Sequence, residues 1–305
     1  MIQPTTSRHP TPDQSKKTEH KTPIILTIAG SDSGGGAGIQ ADIKAISATG
    51  SYACSVITAL TAQNTLAVKG ILPISADFIQ QQLTAVFDDL NIQAIKIGML
   101  AEAKIIQTIA SFLEQYPTIP IVLDPVMVAT SGDLLLEQSA IHNLKQRLVP
   151  LASIITPNLP EAAALTDQAV PQNQQQMLNL INQLRQLDAQ AILLKGGHLQ
   201  SDSTSNDLLI INQKIIQLSS PRIETENTHG TGCSLSAAIA SFIAQGQLLQ
   251  QAVHSAKAWL TGALAHADQL HIGQGHGPVH HFYQQHNQKQ LPLDLSSVAI
   301  KQLDL

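Results

Sequence analysis

The sequence predicts an α/β domain built on a mostly parallel, helix-covered sheet. From residue 23 onward, short apolar segments of strand length alternate with segments of amphipathic helical spacing. The first apolar segment, residues 24–29, is continuous, as in strands that are buried on both faces of a parallel sheet. Polar residues also collect where several strands end, which is where ligands bind in open α/β sheets. Alternation of this kind indicates a parallel sheet with helices packed on it.

Each element is predicted from its local pattern. A turn of small residues at 30–36 follows the first strand, and an amphipathic helix at 37–48 ends before Gly50. The same alternation predicts strands at 53–59, 68–72, 94–97, 119–123, 153–155 and 191–195, and helices at 76–88, 102–115, 139–148, 160–165 and 174–187.

The later part of the chain departs from this alternation. Strands at 206–211 and 214–218 are separated by two polar residues, which predicts an antiparallel hairpin at an edge of the sheet. Helices are then predicted over 234–245 and 248–268.

Both ends of the chain are predicted to lie outside a single domain at 23–286. Residues 1–22 contain prolines, lysines, serines and threonines but no apolar run, so we expect a disordered tail rather than a signal peptide or an anchor. Residues 287–305 continue a polar, glutamine-rich stretch and are expected to form a loose extension. No segment has the apolar length that would span a bilayer.

Composition narrows the class of protein. The chain has 305 residues, 43% of them hydrophobic, which suits one large domain or two small ones. The net charge is −5 and Lys and Arg are not clustered, so neither nucleic acid nor an anionic membrane is an expected partner. The two cysteines, Cys54 and Cys233, indicate a reducing compartment and a cytoplasmic protein, although the sequence leaves a disulfide between them open.

The strongest local signal is Asn-Thr-His-Gly-Thr-Gly-Cys at 227–233, directly before a helix. The first N–H groups of a helix have no partner within it, and Gly230 and Gly232 let an anion approach them closely. Thr231 can cap the helix or contact that anion. A thiol in this field is expected to shift toward thiolate, so Cys233 is a candidate proton acceptor beside a candidate phosphate site. The alternative is a glycine-rich turn followed by a buried core cysteine.

The glycine-rich segment at 30–38 raises the question of a dinucleotide site. A G-x-G-x-x-G frame started at Gly34 or Gly36 ends on Ile39 or Ala41, and no acidic residue closes the following strand. The chain also lacks a G-x-x-x-x-G-K-[ST] phosphate loop. The helix at Gly230 is therefore the better candidate for holding nucleotide phosphates.

Polar residues follow several of the predicted strands. Taken singly, each is more often a cap or loop residue, but their recurrence on one sheet edge favours a ligand site. Asp124 and Glu161 can hold a hydrated Mg²⁺, which takes one or two carboxylates plus phosphates. Lys195 can reach a phosphate. The residues singled out at strand ends are Asp42, Gln63, Asn64, Asp124, Thr156, Asn158, Glu161, Lys195 and His198.

The histidines between His254 and His286 do not indicate a metal site. Their spacing does not place several imidazoles on one helix face, so surface or loop positions are favoured.

Taken together, these motifs resemble the hydroxymethylpyrimidine/phosphomethylpyrimidine kinases of thiamine biosynthesis, in the ribokinase-like superfamily. The resemblance runs from residue 25 to about residue 282 and is carried by the segments at 27–42, 54–64, 96–100, 156–161, 195–198, 227–233 and 277–281. It implies a three-layer α/β/α sandwich with a mostly parallel central sheet. It also implies ATP and Mg²⁺ as co-substrate and cofactor, a small pyrimidine as substrate and a homodimer.

The resemblance further implies a role for individual residues. The expected reaction phosphorylates the hydroxymethyl group of 4-amino-5-hydroxymethyl-2-methylpyrimidine and then the resulting monophosphate. The family implies pyrimidine contacts at Gly30, Asp42, Gln63 and Met99, with Val126 as a pocket wall. It implies that Mg-ATP is bound by Asp124, Asn158, Glu161, Lys195 and Thr231. It implies that catalysis depends on Lys195, on an anion hole at Gly230 and Gly232, and on Cys233 as the base.

A departure in the first loop and two alternative functions qualify the resemblance. The first loop reads Asp-Ser-Gly-Gly-Gly where the family more often has Asp-Pro-Ser-Gly-Gly, which bears on the stiffness of the loop. A pyridoxal or pyridoxine kinase is the alternative within the same fold, because that substrate is also a flat heteroaromatic ring with a hydroxymethyl group. A pyrimidine-binding regulator without catalysis is the alternative from another class.

Overall fold

A ten-stranded sheet runs through the computed structural model, which describes residues 21–127, 138–197, 199, 204–288 and 292–303. The strands among these residues are β1 (Ile24–Asp32), β2 (Tyr52–Gln63), β3 (Val68–Pro73), β4 (Ala94–Ile97), β5 (Ile121–Leu123), β6 (Ile154–Ile155), β7 (Ala191–Leu194), β8 (Thr204–Ile211), β9 (Lys214–Pro221) and β10 (Ala299–Leu303). Their order across the sheet is β10-β9-β8-β7-β6-β5-β4-β1-β2-β3. Six adjacent strands pair in parallel: β7, β6, β5, β4, β1 and β2. Beyond them, β8, β9 and β10 on one side and β3 on the other pair antiparallel with their neighbours.

Helices cover both faces of the sheet, which gives the three-layer α/β/α sandwich that the sequence predicts. They are α1 (Gly38–Ala48), α2 (Ala76–Asp89), α3 (Ala103–Leu113), α4 (Gln138–Asn143), α5 (Leu159–Thr166), α6 (Gln174–Asn179), α7 (Ile181–Leu184), α8 (Thr231–Ala244) and α9 (Leu249–Ala265). α4 continues in a π-helical turn, Leu144–Leu148. Residues of α1, α8 and α9 form the core on one face, and residues of α2, α3, α4, α5 and α7 form the core on the other.

The central strands contribute to both cores because successive side chains in a strand point to opposite faces. In β1, Ile25 belongs to the core under α1 and α8, whereas Leu26 and Ile28 belong to the core under α2 and α3. Full burial of such a side chain stabilises the fold by about 1.5–3 kcal/mol. This two-sided burial explains why the first strand is a continuous apolar run.

Most predicted elements are present, with shifted ends. β1 extends beyond its predicted end at residue 29 to Asp32, and the predicted helix at 174–187 is divided into α6 and α7 at Leu180. β8 and β9 form the predicted antiparallel hairpin. The prediction that this hairpin lies at the edge of the sheet is wrong, since β10 pairs antiparallel with β9 from Ala299 to Leu303.

The loose extension predicted for 287–305 is also wrong for the described residues 292–303. Val298 is 4% exposed and belongs to the core under α9, and its carbonyl oxygen lies 3.0 Å from His254 Nε2. The polar composition concealed this segment because only a few of its side chains face the core. The predicted disordered tail falls almost wholly outside the described residues.

Within the described ranges, the protein has no helix with the length and apolar character needed to cross a membrane.

Candidate active site

The amino ends of two helices meet at the carboxyl edge of the sheet. Gly230 is the N-cap of α8 and has φ of 75°, a conformation that side chains rarely adopt. A Cβ on Gly230 would collide with the carbonyl oxygen of Gly36 and would lie 3.1 Å from the Cα of Ala37, the N-cap of α1. Only glycine therefore allows the two helix ends to pack directly against each other.

The amino end of α8 presents N–H groups that the helix itself does not use. The ladder of α8 begins with the Ser234 N–H donating to the Gly230 carbonyl oxygen, so the N–H groups of Gly232 and Cys233 precede its first bond. The Thr231 hydroxyl donates to the carbonyl oxygen of Thr228, which stabilises the turn that leads into the helix. Unused N–H groups of this kind at a helix N-terminus are suited to binding an anion.

Asp32 stabilises the loop between β1 and α1 and joins it to the α8 loop. Its carboxylate accepts hydrogen bonds from the N–H groups of Gly34, Gly36 and Ala37, and His229 Nε2 lies 2.9 Å from its Oδ2. Burial raises the pKa of Asp32, but the bonds from His229 and from these N–H groups outweigh it and lower the pKa overall. Because an ionised carboxylate only accepts, His229 Nε2 carries the proton.

Sequence reasoning assigned no role to Asp32 or His229, although both lie in the motifs that carried the resemblance. Local spacing could not have paired them, since 197 positions separate them in the chain.

The candidate acceptor pocket lies beside this junction. A small apolar cluster is formed by Ala59, Met99 and Ala101, with Val126 packed against it. A Cβ on Gly30 would lie 3.2 Å from Met99 Sδ, so glycine lets the methionine approach the backbone of β1.

Gln63 is the last residue of β2 and is half-buried. Its backbone N–H and carbonyl oxygen both bond to the Ser33 hydroxyl, and its Oε1 accepts from Thr61 at 3.2 Å. Its amide nitrogen lies 3.4 Å from His229 Nε2. Gln63 is therefore positioned between the first loop and the α8 loop.

Asp42 lies deeper than a ligand contact requires. Its side chain is fully buried, and its Oδ2 accepts from Thr27 Oγ1 at 2.5 Å and from Lys96 Nζ at 2.8 Å. Burial raises the pKa of Asp42, opposed by the attraction of Lys96. The contact of Asp42 with a pyrimidine remains a prediction, since the carboxylate lies inside the protein rather than on the accessible pocket wall.

Three ionisable side chains meet on the other side of the α8 end. Lys195 Nζ lies 2.9 Å from Asp124 Oδ1 and 4.0 Å from Glu161 Oε2, and a Cβ on Gly232 would lie 3.2 Å from the same nitrogen. Thr156 donates to Asp124 at 3.0 Å. One cation thus lies between two carboxylates, directly in front of the helix end.

Asn158 and Glu161 are held by a capping box at the start of α5. Asn158 Oδ1 accepts from the Glu161 N–H at 2.9 Å, and Glu161 Oε2 accepts from the Asn158 N–H at 2.8 Å. The box fixes the Glu161 carboxylate toward Lys195. The side-chain oxygen of Asn158 serves the cap, so a contact between its side chain and nucleotide remains a prediction.

Burial and charge act differently on these groups. Burial raises the pKa of Glu161 to about 7, although Lys195 opposes the rise. For Asp124, burial would raise the pKa, but the attraction of Lys195 and Lys96 lowers it overall. Asp124 is consequently the more acidic of the two carboxylates.

The expected shift of Cys233 toward thiolate is wrong for the ligand-free site. Burial raises the pKa of the Cys233 thiol to about 11, and the attraction of Lys96 only partly offsets it. Loss of hydration penalises the charged form of the thiol more strongly than Lys96 and the Gly38 N–H stabilise it. Cys54 and Cys233 are both free thiols, so the disulfide that the sequence left open is not formed.

The charged residues of this site fit a magnesium ion that is shared with phosphates. Within the described ranges, no group of three or more His, Cys, Asp or Glu side chains is arranged to hold a metal. Asp124 and Glu161 already share one cation, the Lys195 ammonium. Mg²⁺ is commonly held by one or two carboxylates, with phosphate and water oxygens completing its octahedron.

The structure brings most of the predicted site residues to one edge of the sheet. The residues predicted to contact the acceptor are Gly30, Gln63, Met99 and Val126, those predicted for the nucleotide are Asp124, Asn158, Glu161 and Lys195, and those at the start of α8 are Gly230, Thr231, Gly232 and Cys233. His198, which completes the Lys-Gly-Gly-His segment, lies outside the described residues.

Comparison with known proteins identifies the relatives of this arrangement. Residues 32–280 match the family model described as phosphomethylpyrimidine kinase. The hydroxymethylpyrimidine/phosphomethylpyrimidine kinases of Salmonella typhimurium and Escherichia coli are each 51% identical over 258 residues, which is 85% of this chain and 97% of the relative. A pyridoxal kinase of Staphylococcus aureus in complex with ADP superposes with a TM-score of 0.82 at 28% identity, covering 93% of this chain and all of that one. A phosphomethylpyrimidine kinase of Clostridium difficile superposes with a TM-score of 0.70 at 41% identity, covering 80% of this chain and all of that one.

Proposed function

Since this chain belongs to the phosphomethylpyrimidine kinase family, we propose that its carboxyl-edge site performs two successive phosphoryl transfers from ATP. The enzyme is a hydroxymethylpyrimidine/phosphomethylpyrimidine kinase of thiamine biosynthesis. The first acceptor is the hydroxymethyl group of 4-amino-5-hydroxymethyl-2-methylpyrimidine, and the second is the phosphate of the monophosphate. The observation that carries the assignment of the site is the position of the α8 end between an apolar pocket and a Lys-carboxylate cluster.

On the acceptor side, Met99 and Val126 form the apolar wall against which a flat ring packs. Gln63 supplies an amide at the rim, which can both donate to and accept from the polar edge of the ring. Gly30 leaves room for Met99 beside β1. These contacts hold the reacting oxygen toward the end of α8.

On the nucleotide side, Asn158, Glu161, Lys195 and Thr231 face the phosphates of ATP, and Asp124 and Glu161 would hold Mg²⁺. The ion, when bound, neutralises charge on the phosphate oxygens. The Lys195 ammonium exchanges its contact with Asp124 for one with the transferring phosphoryl group. The N–H groups at Gly230, Gly232 and Cys233 stabilise the charge that builds on that group's oxygens.

In the first transfer, the hydroxymethyl oxygen forms a bond to the γ-phosphorus while the bond from that phosphorus to the bridging oxygen breaks. The electron pair of the broken bond leaves with ADP, and the thiolate form of Cys233 takes the hydroxyl proton and becomes a thiol. In the second transfer, a phosphate oxygen attacks. That oxygen is already largely ionised near neutral pH, because the second pKa of a phosphate monoester is about 6. A base is therefore needed mainly for the first transfer.

The alternative substrate class is that of the pyridoxal kinases, which share this fold at 28–32% identity. The relatives that are 51% identical are hydroxymethylpyrimidine/phosphomethylpyrimidine kinases, which favours the pyrimidine. A regulator without catalysis is disfavoured, because Lys195, Glu161 and Cys233 meet in one site.

We place the enzyme in the cytoplasm as a homodimer. Two free cysteines suit a reducing compartment. A dimer is supported by exposed apolar side chains on the β2–β3 edge, where the cross-strand partners Leu60 and Leu72 are 42% and 62% exposed. Sedimentation velocity measures the state directly, and a monomer at micromolar concentration would contradict the dimer.

The proposed function is tested by a product assay with purified protein, MgATP and the hydroxymethyl pyrimidine. Monophosphate should appear first and be converted to diphosphate, and pyridoxal assayed in parallel should be the poorer substrate. Faster turnover of pyridoxal, or monophosphate that is never converted, would contradict the proposal.

A further inference from the structure

A buried ion pair lies beneath the acceptor side of the site, and the roles proposed above leave it unused. Lys96 Nζ lies 2.8 Å from Asp42 Oδ2, and both side chains are fully buried. Thr27 Oγ1 donates to the same carboxylate oxygen. Burying two charges costs several kcal/mol per ion unless their interactions compensate. Such a pair beside a catalytic site calls for a functional explanation.

The pair lies on the face of the sheet that α1 and α8 cover, near the carboxyl end of β4. Lys96 belongs to β4 and lies opposite Thr27 of β1 in the parallel register, on the face that α1 and α8 cover. A Cβ on Gly98 would lie 2.7 Å from Lys96 Nζ, so the ammonium sits beneath the backbone that leads to Met99. Lys96 and Cys233 also interact electrostatically. The Ser236 hydroxyl of α8 donates to Asp124 at 3.4 Å, and the Asp124 N–H donates to the carbonyl oxygen of Ile97, the residue after Lys96, so α8 begins near this end of β4.

The hydrogen-bonding capacity of the pair is only partly used. An ammonium has three donors, and within the described part of the chain Asp42 is the acceptor that Lys96 contacts. Asp42 Oδ1 is buried and has no hydrogen-bond partner among the described residues. Asp42 and Thr27 therefore hold Lys96 in place without occupying all of its donors.

Several charged groups face Cys233 from the elements around it. Lys96 of β4 and Lys195 after β7 favour a negative sulfur, as does the N–H of Gly38 at the start of α1. Asp42 of α1 and Asp124 after β5 oppose it. Among the groups that act on the thiol, the attraction of Lys96 is larger than the repulsion of either carboxylate.

We propose that Lys96 is a positioning residue for the first phosphoryl transfer, with its ammonium held by Asp42 and Thr27 beneath Cys233. Lys96 keeps its proton throughout and stabilises the negative charge on the sulfur that accepts the hydroxyl proton. Asp42 orients the ammonium. This inference rests on the proposed role of Cys233 as base.

Alkylation of Cys233 by iodoacetamide tests the coupling without any substrate. The chain has two cysteines, so a Cys54→Ser background leaves Cys233 as the one thiol. In that background, Lys96→Met should raise the pKa of Cys233. Alkylation at pH 9 should slow by about threefold for each unit by which that pKa rises. The thiolate fraction falls about tenfold for each unit of increase in the pKa, but the more basic thiolate is a better nucleophile, which recovers part of the lost rate. The double variant Lys96→Met/Asp42→Asn removes both charges and should show a smaller decrease in rate.

Cys54 supplies the matched control. It lies on β2 opposite Leu26 and packs on the other face of the sheet, away from Lys96. In a Cys233→Ser background, Lys96→Met should leave the alkylation rate of Cys54 unchanged. An increase there would indicate general loosening and would contradict a specific role.

Kinetics supply the second readout. In single turnovers at saturating substrates, Lys96→Met should slow transfer to the hydroxymethyl pyrimidine severalfold and transfer to the monophosphate much less. An unchanged alkylation rate of Cys233 in Lys96→Met would overturn the proposal. If Lys96→Met does not fold, an unchanged alkylation rate of Cys233 in the double variant Lys96→Met/Asp42→Asn would overturn the proposal instead. The product assay with wild-type protein reports separately on the proposed function.

Discussion

At the scale of single residues, the site depends on how burial changes ordinary chemistry. The Cys233 thiol lies in the field of a helix end, yet burial raises its pKa to about 11. Burial also raises the pKa of Glu161 to about 7, while neighbouring lysines keep Asp124 acidic. Residue type alone therefore does not fix the charge of a group in this site.

The raised pKa of Cys233 predicts a pH dependence for the first transfer. Below a pKa of about 11, the thiolate fraction increases about tenfold for each unit of pH, so single-turnover transfer to the hydroxymethyl pyrimidine should become faster from pH 7 to pH 9. Transfer to the monophosphate should vary little over this range, since its attacking oxygen is already ionised. Rapid-quench measurements with both acceptors give the two slopes. Equal slopes would show that the thiolate is not the base.

Gln63→Ala should impair use of the pyrimidine selectively. Loss of a matched hydrogen bond in a partly buried site costs about 1–3 kcal/mol, so the KM for the pyrimidine should rise about tenfold or more while the KM for ATP stays nearly constant. Gln82→Ala in α2 is the control, because the Gln82 amide bonds only to the backbone of Ile57, on the strand of Gln63, among the described residues. If both Michaelis constants rise equally in Gln63→Ala, Gln63 is not a pyrimidine contact.

At the scale of elements, the contact between the ends of α1 and α8 organises the site. Gly230 packs on the Gly36 and Ala37 backbone, and the Asp32–His229 pair joins the same two loops. The anion site, the acceptor pocket and Lys96 are all built around this contact. The helix ends can approach this closely because the position of Gly230 leaves no space for a side chain.

Gly230→Ala should separate the two helix ends. Positive φ costs a residue with a side chain about 1–2 kcal/mol, and the added Cβ would also collide with the Gly36 carbonyl oxygen. We expect a fall in kcat of at least about tenfold together with a lower Tm. Gly246→Ala is the matched control at the other end of α8, where φ is 89° and nothing lies within 4 Å of the added Cβ. That variant should lower Tm by a few degrees and leave kcat unchanged; equal losses in kcat would argue against the helix contact.

Much of this organisation could be predicted from the sequence because it is local. Alternating apolar segments indicate the parallel sheet, and Gly230 and Gly232 before a helix indicate the anion site. Pairings over long separations, such as Lys96 with Asp42 and Asp32 with His229, leave no spacing signal in one sequence. β10 was missed because an added edge strand buries few of its side chains.

At the scale of the whole molecule, a single α/β/α domain brings the two proposed substrate sites to one edge of its sheet. The proposed acceptor site lies at the ends of β1, β2 and β4, and the proposed nucleotide site follows β5, β6 and β7. α8 begins between them. One helix end can therefore serve two successive transfers without a second active site.

The two ends of the chain should differ in their importance for folding. Removing residues 1–20 should leave stability and turnover nearly unchanged, because the segment has too little apolar content to pack. Removing residues 292–305 deletes β10 and the buried Val298, so the midpoint of thermal unfolding should fall by several degrees. Thermal unfolding of both truncations, with turnover measured alongside, tests the contrast. A larger loss from the first truncation would contradict it.

The most direct test of the central claim is single-turnover transfer to each acceptor by wild-type enzyme and by Cys233→Ala. The variant keeps the backbone N–H groups of the α8 end, so MgATP binding should survive. Loss of a general base typically costs about 10²- to 10⁴-fold, and we predict a loss in that range for the hydroxymethyl pyrimidine and a much smaller one for the monophosphate. Equal losses for the two acceptors would assign Cys233 to the shape of the anion site, and no loss for either would show that it takes no proton.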